Sequence, residues 1–255
     1  MYSSELQPLR DCALIATTSF FGISYFTLYV LQFLILHLSS LPIINTLTVV
    51  FFGSGIILWC FSGLCYRFLR AFQGEAAAGW QRLELASFLL LIWTSSLPTT
   101  VFLFPPLSFI QTAYISIFTT VTVCNMLDFF FCESSAKIMR NRFSYQCISL
   151  VLLSLVPTIF SLAERKPRPP SIAFEYCWVV LLNVAGAGFQ ILQPLERLGV
   201  VRGWRPSLYV MYLILAYSLV RFSKVTSITA LTAWFIRSRV VQLHGKWWAG
   251  SDVLI

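Results

Sequence analysis

Seven long apolar runs, near 13–37, 43–66, 83–104, 107–131, 146–163, 172–194 and 207–235, divide the chain, with short polar segments between them. Within each run the apolar positions are continuous rather than alternating. That pattern predicts helices, not the strands of a lipid-embedded barrel. About 20 such residues cross about 30 Å of hydrocarbon, so the pattern predicts an all-α integral membrane protein built as a seven-transmembrane helix bundle. Pro105-Pro106 divides the third run from the fourth, because proline cannot continue a helix. The fifth run follows the polar stretch ESSAKIMRNRFSYQ and stops at Glu164-Arg165. Pro98 and Pro157 fall inside runs, where kinks are expected. The longest polar segment has about sixteen residues (67–82), and no internal repeat or low-complexity tract divides the chain. A single membrane domain over 1–255 is expected.

Composition sharpens this picture. Of 255 residues 58% are hydrophobic and 11% charged, against about 25% charged in soluble globular chains. Disorder, coiled coil and disulfide scaffold are excluded with the soluble fold. The N-terminal MYSSELQPLRDC leads into an apolar run too long for a signal-peptide core, so retention as the first span is expected. The tail before span 1 and the segments after spans 2, 4 and 6 carry ten Lys and Arg residues. The opposite face carries six. This bias places the N-terminus in the cytoplasm and the C-terminus across the membrane. The net charge of +8 then reads as anchoring to anionic headgroups, and no nucleic-acid partner is expected. Trp80, Trp204, Trp247 and Trp248 fall near the ends of spans, as aromatic belts do.

Seven cysteines (12, 60, 65, 124, 132, 147 and 177) form no C-x-x-C pair, and the chain holds two histidines, His37 and His244. Neither a cysteine metal site nor a disulfide framework follows from this set. G-x-S-x-G, the phosphate loop and H-E-x-x-H are all missing. The candidate chemistry therefore lies in ionisable residues inside apolar runs, which usually face a bundle interior or a wet cavity: Glu84, Asp128, Glu175, Arg221 and Lys224. Asp128 closes span 4 and suits a solvated helix end. Arg221 and Lys224 either snorkel to the interface or pair with an acid across the bundle.

Several segments resemble the progestin and adipoQ receptor family, which includes the adiponectin receptors and hemolysin III proteins. LVPTIFSLAE (155–164) and GAGFQILQPLERLGVVRGW (186–204) look like its span-5 and span-6 stretches. Ser62-Gly-Leu-Cys-Tyr66 sits where the family has S-x-x-x-H, Leu83-Glu84-Leu85 where it has L-D-Y, and Ser207-Leu-Tyr-Val-Met-Tyr212 where it has S-H-Q-x-x-H. The likeness covers roughly 50–220; span 1 lacks the family's N-x-x-T-H element. It implies a zinc ion held by three histidines, yet those places hold Tyr66, Leu208 and Tyr212, and the family's aspartate is Glu84. Zinc needs imidazole, thiolate or carboxylate donors at about 2 Å, so no metal or other cofactor is expected.

The resemblance places Glu84 in the bundle cavity as a candidate catalytic residue, a proton donor if burial keeps it protonated. The alternative is an acid at the headgroup boundary paired with Arg82 or Arg67. Tyr66, Tyr209, Tyr212, Ser62 and Ser207 are the candidate ligand-cavity residues, the phenols holding a ligand oxygen or simply filling space left by the metal. The function implied is a metal-free, receptor-like protein binding a membrane lipid or other hydrophobic, terpenoid-like small molecule. The rival reading is a membrane-bound terpene-cyclase-like enzyme in which Glu84 protonates an olefin or epoxide and aromatic faces stabilise carbocations. A transporter fits poorly, because neither inverted repeats nor paired broken helices are found. Oligomeric state is not legible.

Overall fold

The computed structural model describes residues 3–37, 41–72, 77–104, 108–131, 136–163, 170–192 and 206–249. Seven α-helices carry almost all of them: α1 Ser3–His37, α2 Ile43–Phe72, α3 Ala77–Leu103, α4 Phe109–Phe131, α5 Ala136–Ala163, α6 Pro170–Leu192 and α7 Pro206–Ala249. Six have stretches long and apolar enough to cross a membrane, in α1 to α5 and α7. In α6 the stretch of that kind is shorter, Ile172–Gly186, among the described residues. The fold is all-helical and consistent with a multi-pass membrane protein.

Two segments expected to be polar loops are largely helical. Arg67 to Phe72 continue α2, Ala77 to Arg82 open α3, and Ala136 to Tyr145 form the first turns of α5. These stretches are rich in Ala and Arg, which propagate a helix beyond the apolar span. Boundaries elsewhere follow local chemistry. Ser108 caps α4, its Oγ accepting from the Gln111 backbone N–H at 3.2 Å. The Pro42 carbonyl accepts from Asn45 N–H at 3.0 Å and Thr46 N–H at 3.2 Å at the start of α2.

The hub is α3. Two-thirds of its apolar window is buried (67%), against 17% for α1, and it touches α2, α4, α5, α6 and α7. A helix apolar on all sides suits a site surrounded by other helices. Around it α1 packs on α2, α2 on α3 and α6 on α7. Close approach of α2 to its neighbours is set by Gly53 and Gly55, where a Cβ would strike Val30 of α1 and Thr94 of α3. Small residues at such contacts allow membrane helices to pack closely.

The largest apolar cluster joins α1, α2, α3, α6 and α7 through Phe26, Phe52, Leu91, Tyr176 and Phe222. Phe222 is fully buried. Its ring meets Phe52 edge-on at 5.4 Å and lies 5.5 Å from Tyr176. Pro98 and Pro157 lie inside the continuous helices α3 and α5. Proline lacks the N–H that would bond the carbonyl four residues back. At Pro157 that carbonyl is Leu153's, and the Tyr114 hydroxyl of α4 donates to it at 2.7 Å. A helix defect thereby becomes an interhelical bond. Phe222→Ala is expected to lower stability by about 3–5 kcal/mol, read as a lowered midpoint of denaturant-induced unfolding of the purified protein in detergent; a shift within error would remove Phe222 from the centre of the packing.

Candidate functional site

Four helices, α1, α2, α3 and α7, line a half-open cavity of about 360 Å³, within the range of small-molecule sites. Its wall is almost wholly apolar, with Ile15, Phe26, Trp59 and Leu219 among the lining residues. Glu84 of α3 and Tyr212 of α7 interrupt that wall, and α1 adds three hydroxyls, those of Thr18, Ser19 and Tyr25.

Glu84 packs against the backbone of α2. The residue facing it is Gly63, where a Cβ would come within 3.4 Å of the carboxylate Oε1. One turn further along α2, the Arg67 guanidinium donates to that same oxygen at 3.5 Å. Glu84 retains 16% of its side-chain exposure and Arg67 28%, so the pair sits at the edge of the packed interior. Tyr212 stands close enough to both of them to interact electrostatically. The site is thus a carboxylate and a phenol on the wall of a half-open apolar chamber, with a guanidinium behind the carboxylate, able to accept from and donate to one polar head while an apolar body lies along the chamber.

The structure brings Glu84 and Tyr212 together on this wall, and the partner of Glu84 is Arg67, one of the two bases considered from the sequence. Ser62 is turned elsewhere. It is fully buried, shares a 2.6 Å hydrogen bond with Ser87 and donates to the Trp59 carbonyl at 3.0 Å, tying α2 to α3 instead of lining the chamber. Tyr66 is buried beside the cavity rather than on its wall, with the Arg67 guanidinium carbon 5.0 Å from its ring centroid. The side chains of Ser207, Leu208 and Tyr209 lie outside the described residues. The sequence reading missed α1, which supplies Thr18, Ser19 and Tyr25 to the cavity. The run Thr17-Thr18-Ser19 inside an otherwise apolar span was the available signal.

No group of three or more His, Cys, Asp or Glu side chains converges among the described residues. One carboxylate beside a guanidinium and a phenol is a donor set unsuited to zinc.

Two further ion pairs occupy other helix surfaces. Arg142 approaches Asp128 at 3.5 Å, and Gln146 donates to the same carboxylate at 3.1 Å, so the acid closing α4 is tied to α5. Arg221 grips Glu175 of α6 with two bonds of 2.6 Å, the cross-bundle pairing that the sequence left open. No protein-family model matches the chain, and no curated protein is significantly similar to it.

Bidentate geometry adds both strength and direction to an arginine–carboxylate pair. Double-mutant cycles with glutamine at each position are therefore expected to give a larger coupling for Glu175–Arg221 than for Arg67–Glu84, the latter about 1 kcal/mol or less, as for exposed pairs. Denaturation in detergent reads both, and equal couplings would contradict the geometric ranking.

Proposed function

We propose that the chain is a metal-free, seven-span membrane protein of the hemolysin III and adiponectin receptor type that holds a lipid or terpenoid-like molecule in the cavity between α1, α2, α3 and α7. The observation that carries this reading is the pairing of an apolar chamber of about 360 Å³ with one carboxylate, Glu84, and the phenols of Tyr25 and Tyr212 on its wall. A long-chain alcohol matches such a site, its hydroxyl donating to Glu84 and accepting from Tyr212 while the chain lies along Phe26 and Leu219. Binding rather than proton transfer is favoured because Oε1 of Glu84 already accepts from Arg67, an arrangement that fixes a carboxylate as an acceptor.

The seventh crossing in this reading is α6. Its 23 residues span about 34 Å at 1.5 Å per residue, enough to traverse the hydrocarbon although its described apolar stretch is shorter. With an odd number of crossings and the bias of ten basic residues against six, the N-terminus is cytoplasmic and the C-terminus opposite.

Two measurements test the reading. Epitope tags at the two ends are expected to show protease protection on opposite sides of sealed vesicles, with the N-terminal tag cytoplasmic; tags on the same side overturn the seven-span topology. For the ligand, the purified full chain in phosphatidylcholine nanodiscs is expected to bind farnesol or oleyl alcohol saturably and without consuming either. Glu84→Gln weakens binding about tenfold, as loss of a charged hydrogen-bond acceptor does, and Ala216→Trp, on the cavity wall, blocks it. Unchanged affinity in both variants sinks the proposal. Conversion of farnesol to a new product, lost in a folded Glu84→Gln, would replace binding with the cyclase reading.

A further inference from the structure

Away from the cavity, one stripe of α7 faces out of the bundle: Leu213 (68% exposed), Tyr217 (57%), Arg221, Lys224 and Ile228 (60%). Steps of four, four, three and four residues hold these side chains on one face, the spacing of a helix-packing seam. Arg221 is fixed on the stripe. Glu175 of α6 holds it through two 2.6 Å bonds, and its third contact is the Tyr217 hydroxyl at 3.4 Å. A guanidinium has five N–H donors, so not all of them are used, and the side chain keeps 40% of its exposure. Lys224, one turn on, is exposed and has no acidic partner among the described residues. The stripe therefore carries one positive charge more than it neutralises.

These cations lie deep. The stretch of α7 long enough to cross a membrane is Val210–Thr232, and Arg221 is eleven residues from each end of it, about 16 Å at 1.5 Å per residue. Contacts to other helices mark both ends. Asn45, near the start of α2, donates to the Ala230 carbonyl at 3.4 Å, and Tyr212 stands beside Arg67 and Glu84. Lys224 is eight residues from Thr232, about 12 Å. Helical side chains lean toward the helix N-terminus, so its ammonium is carried toward Arg221 and away from the nearer surface. Ionisable residues inside a membrane almost always face a protein interior or pair with one another. An excess cation on an outer face at this depth marks that face as the interior of a larger assembly.

We propose that this stripe of α7 is the docking surface for a transmembrane helix of a second protein, one that carries a single carboxylate, Asp or Glu, at mid-membrane depth. Lys224 and the outward edge of Arg221 both donate to that carboxylate, whose one negative charge completes the cluster. Leu213, Tyr217 and Ile228 supply the packing contacts on either side of it, where interhelical polar bonds and close packing hold membrane helices together. Glu175 is a positioning residue: it orients the guanidinium and leaves the excess at one charge. A second copy of this chain matches the face poorly. Two-fold pairing sets a patch against itself, so Arg221 and Lys224 would meet their own counterparts while each Glu175 is already engaged.

The test uses the full chain in phosphatidylcholine vesicles with a dansyl-labelled, Trp-free leucine–alanine peptide of about 21 residues, long enough to span the bilayer. The peptide carries either Glu or Ala at its centre, and energy transfer from the chain's tryptophans reads association. The Glu peptide is expected to bind about tenfold more tightly than the Ala peptide, the scale of one polar contact between membrane helices. Lys224→Met is expected to remove most of that preference. Methionine is apolar and unbranched and leaves the Glu175–Arg221 pair in place, so the variant loses the cation without a new polar group in the bilayer. Equal binding of the two peptides to the unaltered protein overturns the proposal, and this comparison requires no variant of the chain. A preference undiminished in Lys224→Met also overturns it, because the attraction would then come from basic residues elsewhere. Energy transfer between donor- and acceptor-labelled copies of the chain, abolished by Lys224→Met, would assign the face to a second copy and overturn the proposal as well.

Discussion

In hydrocarbon no water is available to accept a stray hydrogen bond, so each polar atom on a buried helix has to be satisfied by the protein itself. On α3, the helix around which the others assemble, Thr94, Ser95, Ser96, Thr99 and Thr100 all donate to carbonyls three or four residues back on the same helix. Their hydroxyls are consumed locally, and their remaining surface is small and nearly apolar. This allows a helix carrying so many Ser and Thr residues to be the most buried of the bundle. It also brings α2 close enough for Ser62 and Ser87 to meet. The same requirement explains Tyr114 on the carbonyl freed by Pro157, and Tyr29 of α1, which donates to the Ser223 carbonyl and accepts from Ser227 across to α7.

Against that background the polar groups on the cavity wall stand out. Where α3 meets α2 near Gly63, side-chain packing gives way to space, and Glu84 is directed into it beside Arg67 and Tyr212. Elsewhere the hydroxyls of the hub serve the helix. This carboxylate is held instead by a side chain from another helix and still borders a chamber. The contrast between a saturated hub and a partly open polar group on its flank is the physical basis for treating the chamber as a binding site.

The ion pairs divide by geometry rather than by charge. Asp128 with Arg142 and Glu84 with Arg67 meet at 3.5 Å, loose contacts near helix ends. Glu175 with Arg221 meets at 2.6 Å through two bonds and joins α6 to α7, helices that also pack extensively. A rigid pair of this kind presents the outward edge of a guanidinium in a fixed direction, which a mobile surface arginine does not. Charged residues within apolar segments thus serve different ends here: one stands at a cavity, one closes a helix, and one joins α6 to α7.

The apolar runs determined the helices almost to the residue within the spans, because a lipid environment leaves the backbone no alternative to helix over a long apolar run. They did not locate the helix ends outside the spans: α2, α3 and α5 continue through segments that look like loops, where helix-forming residues carry the turn on without hydrophobic guidance. The ionisable residues were also legible as candidates, since their cost in a membrane marks them out. Their partners were not. Arg67 and Arg82 both lie near Glu84 in sequence order, and only the packing of α2 on α3 through Gly63 selected Arg67. Pairing Glu175 with Arg221 spans 46 residues and needs the register of α6 on α7, which no run of apolar residues encodes. Ser62 read as a cavity residue by its place in a motif, but its rotation on α2 turns it to Ser87. The contribution of α1 to the chamber was invisible for the same reason: which face of a uniformly apolar helix points inward is decided by its neighbours and not by its own sequence.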